Sequence, residues 1–266
     1  MRKIVEHALI IRHREIVPTY FELEFIAPDI ARQALPGQFV HLRVTRSLDP
    51  LLRRPFGIYN VEQKIGSVTV FYRVVGRGTA MLSDLHTAET VDVLGPLGNT
   101  FSIPSTMQRA VVVGGGVGIA PLVYLARVLA ERKVEVMVLL GASTAGFLVG
   151  RDILKRLGVD YMVATDDGSE GLKGHVTELL ERMIDRKRFD YIYACGPEPM
   201  MVKVTEIAQQ NGIPGELSLE EHMACGIGAC LGCAKKVRRP ADGQDVYAKV
   251  CTDGPVFRIG EVVFNA

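Results

Sequence analysis

Apolar and polar residues alternate one by one through much of the first hundred positions. The runs YFELEFIA, QFVHLRV, SVTVFYRVV and ETVDVLGPLG follow this rhythm, and turn signals such as APD, LPGQ and KIGS separate them. Period-two patterning at such short spacing predicts a small antiparallel barrel. The opening run MRKIVEHALIIRHRE mixes charges into its apolar positions and has no small-residue cleavage site, so it reads as a first strand rather than a signal peptide. One helix is expected in this half, over residues 78–87. After NTFSIP the rhythm changes. AVVVGGG is a strand that runs into glycines, and PLVYLARVLAERK sets Leu122, Leu125 and Leu129 on one helical face. Strands VEVMVLLGA and DYMVATDDG follow, then helix HVTELLERMI, strand DYIYACGP, helix MMVKVTEIAQQ and strand GELSLEE. That order predicts a parallel sheet with crossover helices.

From about His222 the chain is short, rich in Gly and Cys, and poor in apolar runs. A segment of that size is near the limit for folding on a hydrophobic core alone, and a metal site would supply the missing constraint. The expected division is a β-barrel over residues 1–103, an α/β domain over 104–221 and a small metal domain over 222–266.

Composition narrows the class without naming a function. The 266 residues are 48% hydrophobic and 23% charged, with net charge +1. This is a globular balance with no broad electrostatic pull toward nucleic acid or anionic membrane. No apolar stretch reaches transmembrane length, so a cytoplasmic protein is expected. The five cysteines are odd in number, and four are clustered, which favours thiolates kept for metal over paired disulfides. The histidines, His7, His13, His41, His86, His175 and His222, are scattered without ligand spacing. His222 adjoins the cysteine cluster and reads as a surface residue. No catalytic acid–base or nucleophile set is evident.

The clustered cysteines carry the sharpest chemistry. Cys225, Cys230 and Cys233 are spaced C-x-x-x-x-C-x-x-C, and Cys251 lies 18 residues beyond the third. This is the plant-type ligand spacing of a 2Fe-2S cluster. Zinc usually favours two C-x-x-C pairs, and only one such pair is present. Gly226, Gly228 and Gly232 let the backbone wrap closely around an inorganic core.

A second constellation points to nucleotides. Gly114, Gly115, Gly116 and Gly118 lie between a strand and a helix, where close backbone approach and the helix N-terminus suit a phosphate. The plain alternative is a tight strand–helix turn. Further on come Cys195, Gly196 and Pro197 in CGPEPMM. G-x-G-x-x-P with C-G-P-x-x-M is the signature of the ferredoxin–NADP reductase superfamily, which makes a nicotinamide site the expectation. Asp166 and Asp167 would repel a 2′-phosphate, and the strand tip LLGASTAGFL has no basic residue; NAD(H) is therefore expected over NADP(H). In the barrel, Arg53 and Arg54 can clamp a pyrophosphate, and Gly78-Thr79 opens a helix beside Tyr72 and Arg73. A surface basic pair and an ordinary helix cap are the plain alternatives. A hydride carrier and a one-electron cluster need a converter between them, and flavin is the usual one.

The whole chain resembles the electron transfer subunits of dihydroorotate dehydrogenase B. LLRRPFGIYN, YRVVGRGTAML, VGGGVGIAPL, CGPEPMM and MACGIGACLGC with VCTDGPVF carry the resemblance most specifically. It implies FAD binding by Arg54, Pro55, Phe56 and Gly57, by Tyr72, Arg73 and Val74, and by Gly78 and Thr79. It implies Cys195 beside the nicotinamide ring, and a cluster on Cys225, Cys230, Cys233 and Cys251. The family usually has Ser where this chain has Gly57, so an altered flavin potential is expected. The implied partner is an FMN-containing catalytic subunit that oxidises dihydroorotate in de novo pyrimidine (UMP) synthesis, in a heterotetramer with two of each subunit. The alternative from the same superfamily is an NAD(P)H-linked reductase subunit for ferredoxin, sulfide or hydrogenase chemistry. Bifurcating relatives often lack one cysteine ligand, and all four are present here. A nucleotide-sensing scaffold with a structural metal is the reading from another class.

Overall fold

The computed structural model describes residues 3–45, 47–239 and 241–264. Strands β1 (Ile4–Val17), β2 (Tyr20–Ile26), β3 (Phe39–Arg43), β4 (Arg54–Glu62), β5 (Ser67–Arg73) and β6 (Thr90–Leu97) close a barrel in the order β1-β2-β5-β4-β3-β6. All of its neighbours are antiparallel. Alternation in the sequence fills the barrel as the period-two pattern requires. Leu23, Phe25, Val40, Leu42, Ile58, Val68, Val70 and Val93 are fully buried in one cluster.

Two short helices plug and flank the barrel. Helix α2 (Arg77–Ser83) falls within two residues of the expected span at its start and ends four residues early. Helix α1 (Pro28–Gln33) was read as a turn from its APD signal. Proline at the first helical position starts a helix as readily as it marks a turn, and the buried Ile30 and Ala31 decide the matter by packing into the barrel.

The second body is a seven-stranded sheet. Its strands are β7 (Arg109–Gly115), β8 (Glu135–Ala142), β9 (Asp160–Thr165), β10 (Leu172–Lys173), β11 (Tyr191–Cys195) and β12 (Gly215–Ser218), with β15 (Val256–Arg258) at the edge. The order is β10-β9-β8-β7-β11-β12-β15, parallel except for β15. Helices α3 (Ala120–Glu131), α4 (Arg151–Leu157), α5 (Val176–Arg186) and α6 (Glu198–Gln210) supply the crossovers. Helix α4 lies between two strands that the sequence pattern left without a crossover; left-handed glycines, Gly150 and Gly158, flank it at both ends.

The cysteine module contributes a hairpin, β13 (Ala234–Arg238) with β14 (Asp245–Lys249). It does not stand apart. After the hairpin the chain returns to the α/β sheet as β15, pairing Leu217 with Phe257. The boundary expected at 221/222 is thus crossed by one strand.

Side chains weld the bodies together. Tyr124 Oη of α3 donates to the Ala34 carbonyl at 3.0 Å, and Arg127 Nη1 donates to Asn60 Oδ1 at 2.8 Å. Tyr193 Oη donates to the Ser102 carbonyl at 2.5 Å. Asn99, just past the barrel, uses both ends of its amide. Nδ2 donates to the Asp253 and Val256 carbonyls at 3.0 and 2.8 Å, and Oδ1 accepts the Val256 N–H at 2.9 Å. Asn99→Ala strips three main-chain groups of a partner. It is expected to cost about 1–3 kcal/mol, read as a lower Tm and faster amide exchange across 253–258 than in the barrel.

Candidate functional site

A cleft of ≈ 490 Å³ opens where the barrel meets the first turn of α3. Arg54, Pro55, Phe56 and Gly57 of β4, Tyr72 and Arg73 of β5, and Thr79 of α2 line one side. Val117, Ala120 and Pro121 face them, and residues 218–223 close the end. Seven of the nine residues expected to bind flavin therefore share one wall, while Val74 and Gly78 are not among its lining residues. A Cβ at Gly78 would lie 2.5 Å from Arg54 Nε, so a larger residue there displaces that guanidinium.

The two arginines separate in role. Arg53 is fully engaged, with Nη2 on Asp92 Oδ1 at 2.9 Å and Nη1 on the Asp92 and His41 carbonyls. Arg54 is held only by main-chain carbonyls behind it, chiefly Leu52 at 2.5 Å, and is the one that lines the cleft. Thr79 is also occupied. Its hydroxyl accepts the Val75 and Gly76 N–H groups and donates to the Gly76 carbonyl. It shapes the turn that opens α2 rather than offering a free donor. Tyr72 stacks on Phe21 and packs on Phe56, with ring centroids at 5.7 and 5.3 Å, and its hydroxyl meets His13 Nε2 at 2.9 Å.

The glycine turn and the C-G-P motif come together at the carboxyl ends of β7 and β11, adjacent parallel strands. The strand order reverses between them, which is where open α/β sheets bind ligands. At Gly118 the contact is main chain to main chain. A Cβ on Gly118 would fall 2.5 Å from the Cys195 carbonyl oxygen, and one on Gly115 would fall 2.9 Å from Pro197 Cδ. Gly116 makes the turn itself, at φ +55°. Cys195 is fully buried. Burial, and next the charge of Glu220, push its thiol well up, while a hydrogen bond with Ser218 pulls the other way.

Asp166 and Asp167 sit against the tip of β8, their N–H groups donating to the Ala142 and Ser143 carbonyls. Arg151, a basic residue the sequence reading passed over, is taken up by both carboxylate oxygens of Glu170.

The four clustered cysteines are arranged as two pairs. Cys225 and Cys230 place their sulfurs 3.3 Å apart, and Cys233 and Cys251 lie within hydrogen-bonding reach of each other. A two-iron cluster takes two thiolates on each iron, and the sulfurs stand in two pairs. The donor set therefore fits a 2Fe-2S group. Burial opposes ionisation of Cys225, but the N–H groups of Ile227, Cys230 and Ala229 and the Cys230 thiol overcome it. Together they bring its thiol down to about 6. Burial first, and then Cys233, push Cys251 up to about 11; metal coordination deprotonates such a thiol outright.

The ligand loop leans on the barrel. Lys3 Nζ donates to the Ile227 carbonyl at 3.0 Å, and Gly226, at φ +68°, lies against His41 of β3. Lys235 ties the hairpin to α6 through Glu198 at 3.1 Å, with Glu221 at 3.4 Å. Residues 218–221 were read from sequence only as the end of a strand, and 222–223 as the start of the cysteine segment. They form the cleft wall, and Cys225 follows two residues after Met223. Glu220 keeps solvent contact in the cleft, yet surrounding protein atoms crowd it enough for burial to raise its carboxyl. His222 is exposed, as expected, and faces the same cleft. Gly37 and Phe39, from the LPGQF turn, complete that wall; only their neighbours far along the chain reveal it.

A barrel and a nicotinamide-type sheet meeting at a cleft, with a four-thiol loop alongside, define a flavin- and nicotinamide-linked electron-transfer oxidoreductase. Residues 112–206 match the oxidoreductase NAD-binding domain, and residues 220–263 match the iron-sulfur cluster binding domain of dihydroorotate dehydrogenase B. The electron transfer subunit of dihydroorotate dehydrogenase B (NAD(+)) from Desulforamulus reducens is 42% identical, over 94% of this chain and 95% of its own length. That from Geobacillus thermodenitrificans is 42% identical over 97% and 98%. This chain belongs to that family, the electron transfer subunits of dihydroorotate dehydrogenase B. Among solved structures, an NADH-dependent reduced ferredoxin-NADP oxidoreductase studied for flavin-based electron bifurcation superposes with TM-score 0.86. It is 33% identical, with 97% of this chain and 90% of that one covered. A Neisseria gonorrhoeae ferredoxin NADP+ reductase with bound FAD and NADP shares the fold, at TM-score 0.66 and 17% identity, over 78% and 92%. No helix among the described residues is long and apolar enough to cross a membrane.

Gly118→Ala forces the turn away from Cys195. We expect NAD+ affinity to fall by more than tenfold, over 1.4 kcal/mol, with flavin content unchanged. Equilibrium binding of NAD+ to the purified flavoprotein measures this.

Proposed function

We propose that this chain is the NAD-side half of a two-protein dihydroorotate oxidase whose partner carries FMN, with two copies of each subunit. The family itself sets the frame: an NAD-linked electron transfer subunit that uses FAD, a 2Fe-2S cluster and NAD(H), and works with a catalytic subunit in pyrimidine synthesis. Oxidising dihydroorotate to orotate releases two electrons and two protons. NAD+ takes up both electrons and one proton, and the other proton goes to solvent. Bound flavin supplies the change between one-electron and hydride chemistry.

The observation that carries this reading is the continuity of cleft and ligand loop. His222 and Met223 wall the cleft and lead directly into Cys225. In this reading residues 1–103 hold FAD, 104–221 hold NAD(H) and 222–266 hold the cluster. Arg54 and the start of α2 receive the flavin's phosphates. Pro55, Phe56, Gly57, Tyr72, Arg73 and Val74 take its ring and chain. Gly114, Gly115, Gly116, Gly118, Gly196 and Pro197 form the nicotinamide nucleotide's floor. Cys195, being buried, shapes that floor from below. Cys225, Cys230, Cys233 and Cys251 hold the cluster. Arg151, neutralised by Glu170, and the acidic Asp166 and Asp167 favour NAD(H) over a 2′-phosphorylated nucleotide.

The catalytic subunit docks over the ligand loop. Leu231 is 76% exposed and Ile227 41% exposed, two apolar side chains beside the half-buried thiols of Cys225 and Cys230. The likeness to the bifurcating oxidoreductase favours a second reading, a subunit that serves ferredoxin. Co-expression with the dihydroorotate-oxidising subunit, followed by a dihydroorotate:NAD+ assay of the purified complex, decides between them. Activity with dihydroorotate supports the first reading, and turnover with reduced ferredoxin alone supports the second.

Two outcomes are expected. Leu231→Asp weakens capture of the catalytic subunit by more than tenfold in pull-down titrations, while NADH still reduces the bound flavin at the wild-type rate. Gly57→Ser adds a Cβ only 3.2 Å from Pro121 Cβ, so the helix gives by a few tenths of an ångström and FAD still binds. The new hydroxyl adds a hydrogen bond of about 1 kcal/mol, and the flavin potential shifts in a redox titration. An unchanged potential removes this role for position 57.

A further inference from the structure

His41 has no stated task, and it stands at an unusual place. It lies on β3 with its side chain fully buried, and neither ring nitrogen has a hydrogen-bond partner. A neutral imidazole carries one donor and one acceptor, and burying either unpaired is costly. Such a group calls for a partner that arrives with something else.

The ring's surroundings say where that partner lies. Gly226, between the first ligand and Ile227, approaches so closely that a Cβ on it would fall 2.5 Å from His41 Nδ1 and 2.9 Å from Cε1. Burial first, and then the charges of Arg53 and Arg54, bring the imidazole down to about 4 and keep it neutral; the nearby Cys225 main chain pulls the other way without making a hydrogen bond to the ring. Phe39 meets the imidazole edge-on, ring centroids 6.3 Å apart and planes at 86°. Arg53 fixes the main chain beneath it, bridging the His41 carbonyl at 3.3 Å to Asp92. Phe39 and His41 are two residues apart on one strand and so point to the same face. Phe39 walls the cleft and His41 meets the ligand loop.

We propose that His41 is a positioning residue of the iron–sulfur site: its ring N–H engages the Cys225–Gly226 main chain in the loaded protein, holds the first ligand, and raises the cluster's reduction potential. The proposal rests on the iron–sulfur reading of the four cysteines. Its physical basis is polarity. A donor beside the loop adds positive partial charge next to Cys225, the same sign that the Ile227 and Cys230 N–H groups bring to its sulfur. Donors of that kind stabilise the more negative, reduced state of a cluster.

The test uses the full chain in three forms, wild type, His41→Phe and His41→Gln, with iron content and thermal melting measured for each. The cluster potential is followed by redox titration with visible and EPR detection, and the flavin potential is the internal control. Iron in the wild-type protein checks the underlying reading separately. The expected result is a more negative cluster potential in His41→Phe, an unmoved flavin potential, and return toward wild type in His41→Gln, which restores an N–H donor. Loss of iron from His41→Phe alone, with His41→Gln loaded, also supports the proposal. A His41→Phe protein with full iron and an unshifted cluster potential overturns it. Loss of iron from both variants overturns it too, because the site then needs only the shape of the ring.

Discussion

Where Gly118 passes the end of β11, the two main chains come so near that no side chain fits between them, and the geometry of the cleft follows from that contact. It fixes the start of α3 against the sheet. Helix α3 in turn presents Pro121 to Gly57 of the barrel, and Tyr124 and Arg127 lock the barrel in place. The cleft is the space left over between two bodies whose separation is set at van der Waals contact. Interiors this dense transmit displacement rather than absorb it. A methyl group at the Gly118 turn therefore displaces the start of α3 at the β11 side of the cleft.

The electrostatics divide along the same line. Charges near the cleft are mostly spent on one another, as in Arg53 with Asp92, Arg151 with Glu170, and Lys235 with Glu198 and Glu221. Arg54 and Arg73 both line the cavity, and no ion pair with a carboxylate holds either of them among the described residues. That arrangement suits a site that must recognise pyrophosphate at one end and leave a ring system in a mostly apolar slot at the other. Around the thiols the charge is supplied by main-chain N–H groups instead. Their positions are fixed by the turn, so they cost no rearrangement when the site fills.

Much of this was legible in the chain before any coordinates. Single alternation announced the barrel, because a strand with one wet face cannot hide its period. The spacing of Cys225, Cys230, Cys233 and Cys251 announced the metal, because sulfur ligands act locally. What stayed hidden depends on distant neighbours. Helix α1 looked like a turn until Ile30 and Ala31 had a barrel to enter. Arg53 and Arg54 are indistinguishable as a pair, and only Asp92, on another strand, tells them apart. The hydroxyl of Thr79 could be counted as a donor to ligand, but not as one already spent. His41 sits in an ordinary alternating strand, and the loop that gives it meaning lies at the other end of the chain.

The return of the chain as β15 has a consequence for how the protein is built. Leu219 donates its N–H to the Pro255 carbonyl at 2.9 Å, just where β12 hands over to the ligand loop and the loop hands back to β15. The segment between them is an excursion with both feet planted on one sheet edge. Its ends are already held together by the finished sheet, so closing it around a metal core adds little further chain-entropy cost. Assembly then has a natural order. Barrel and sheet can form first on their own cores, leaving the thiol loop as an open hand on a solid wrist. The inorganic core can be delivered last, into a protein whose other sites are already standing.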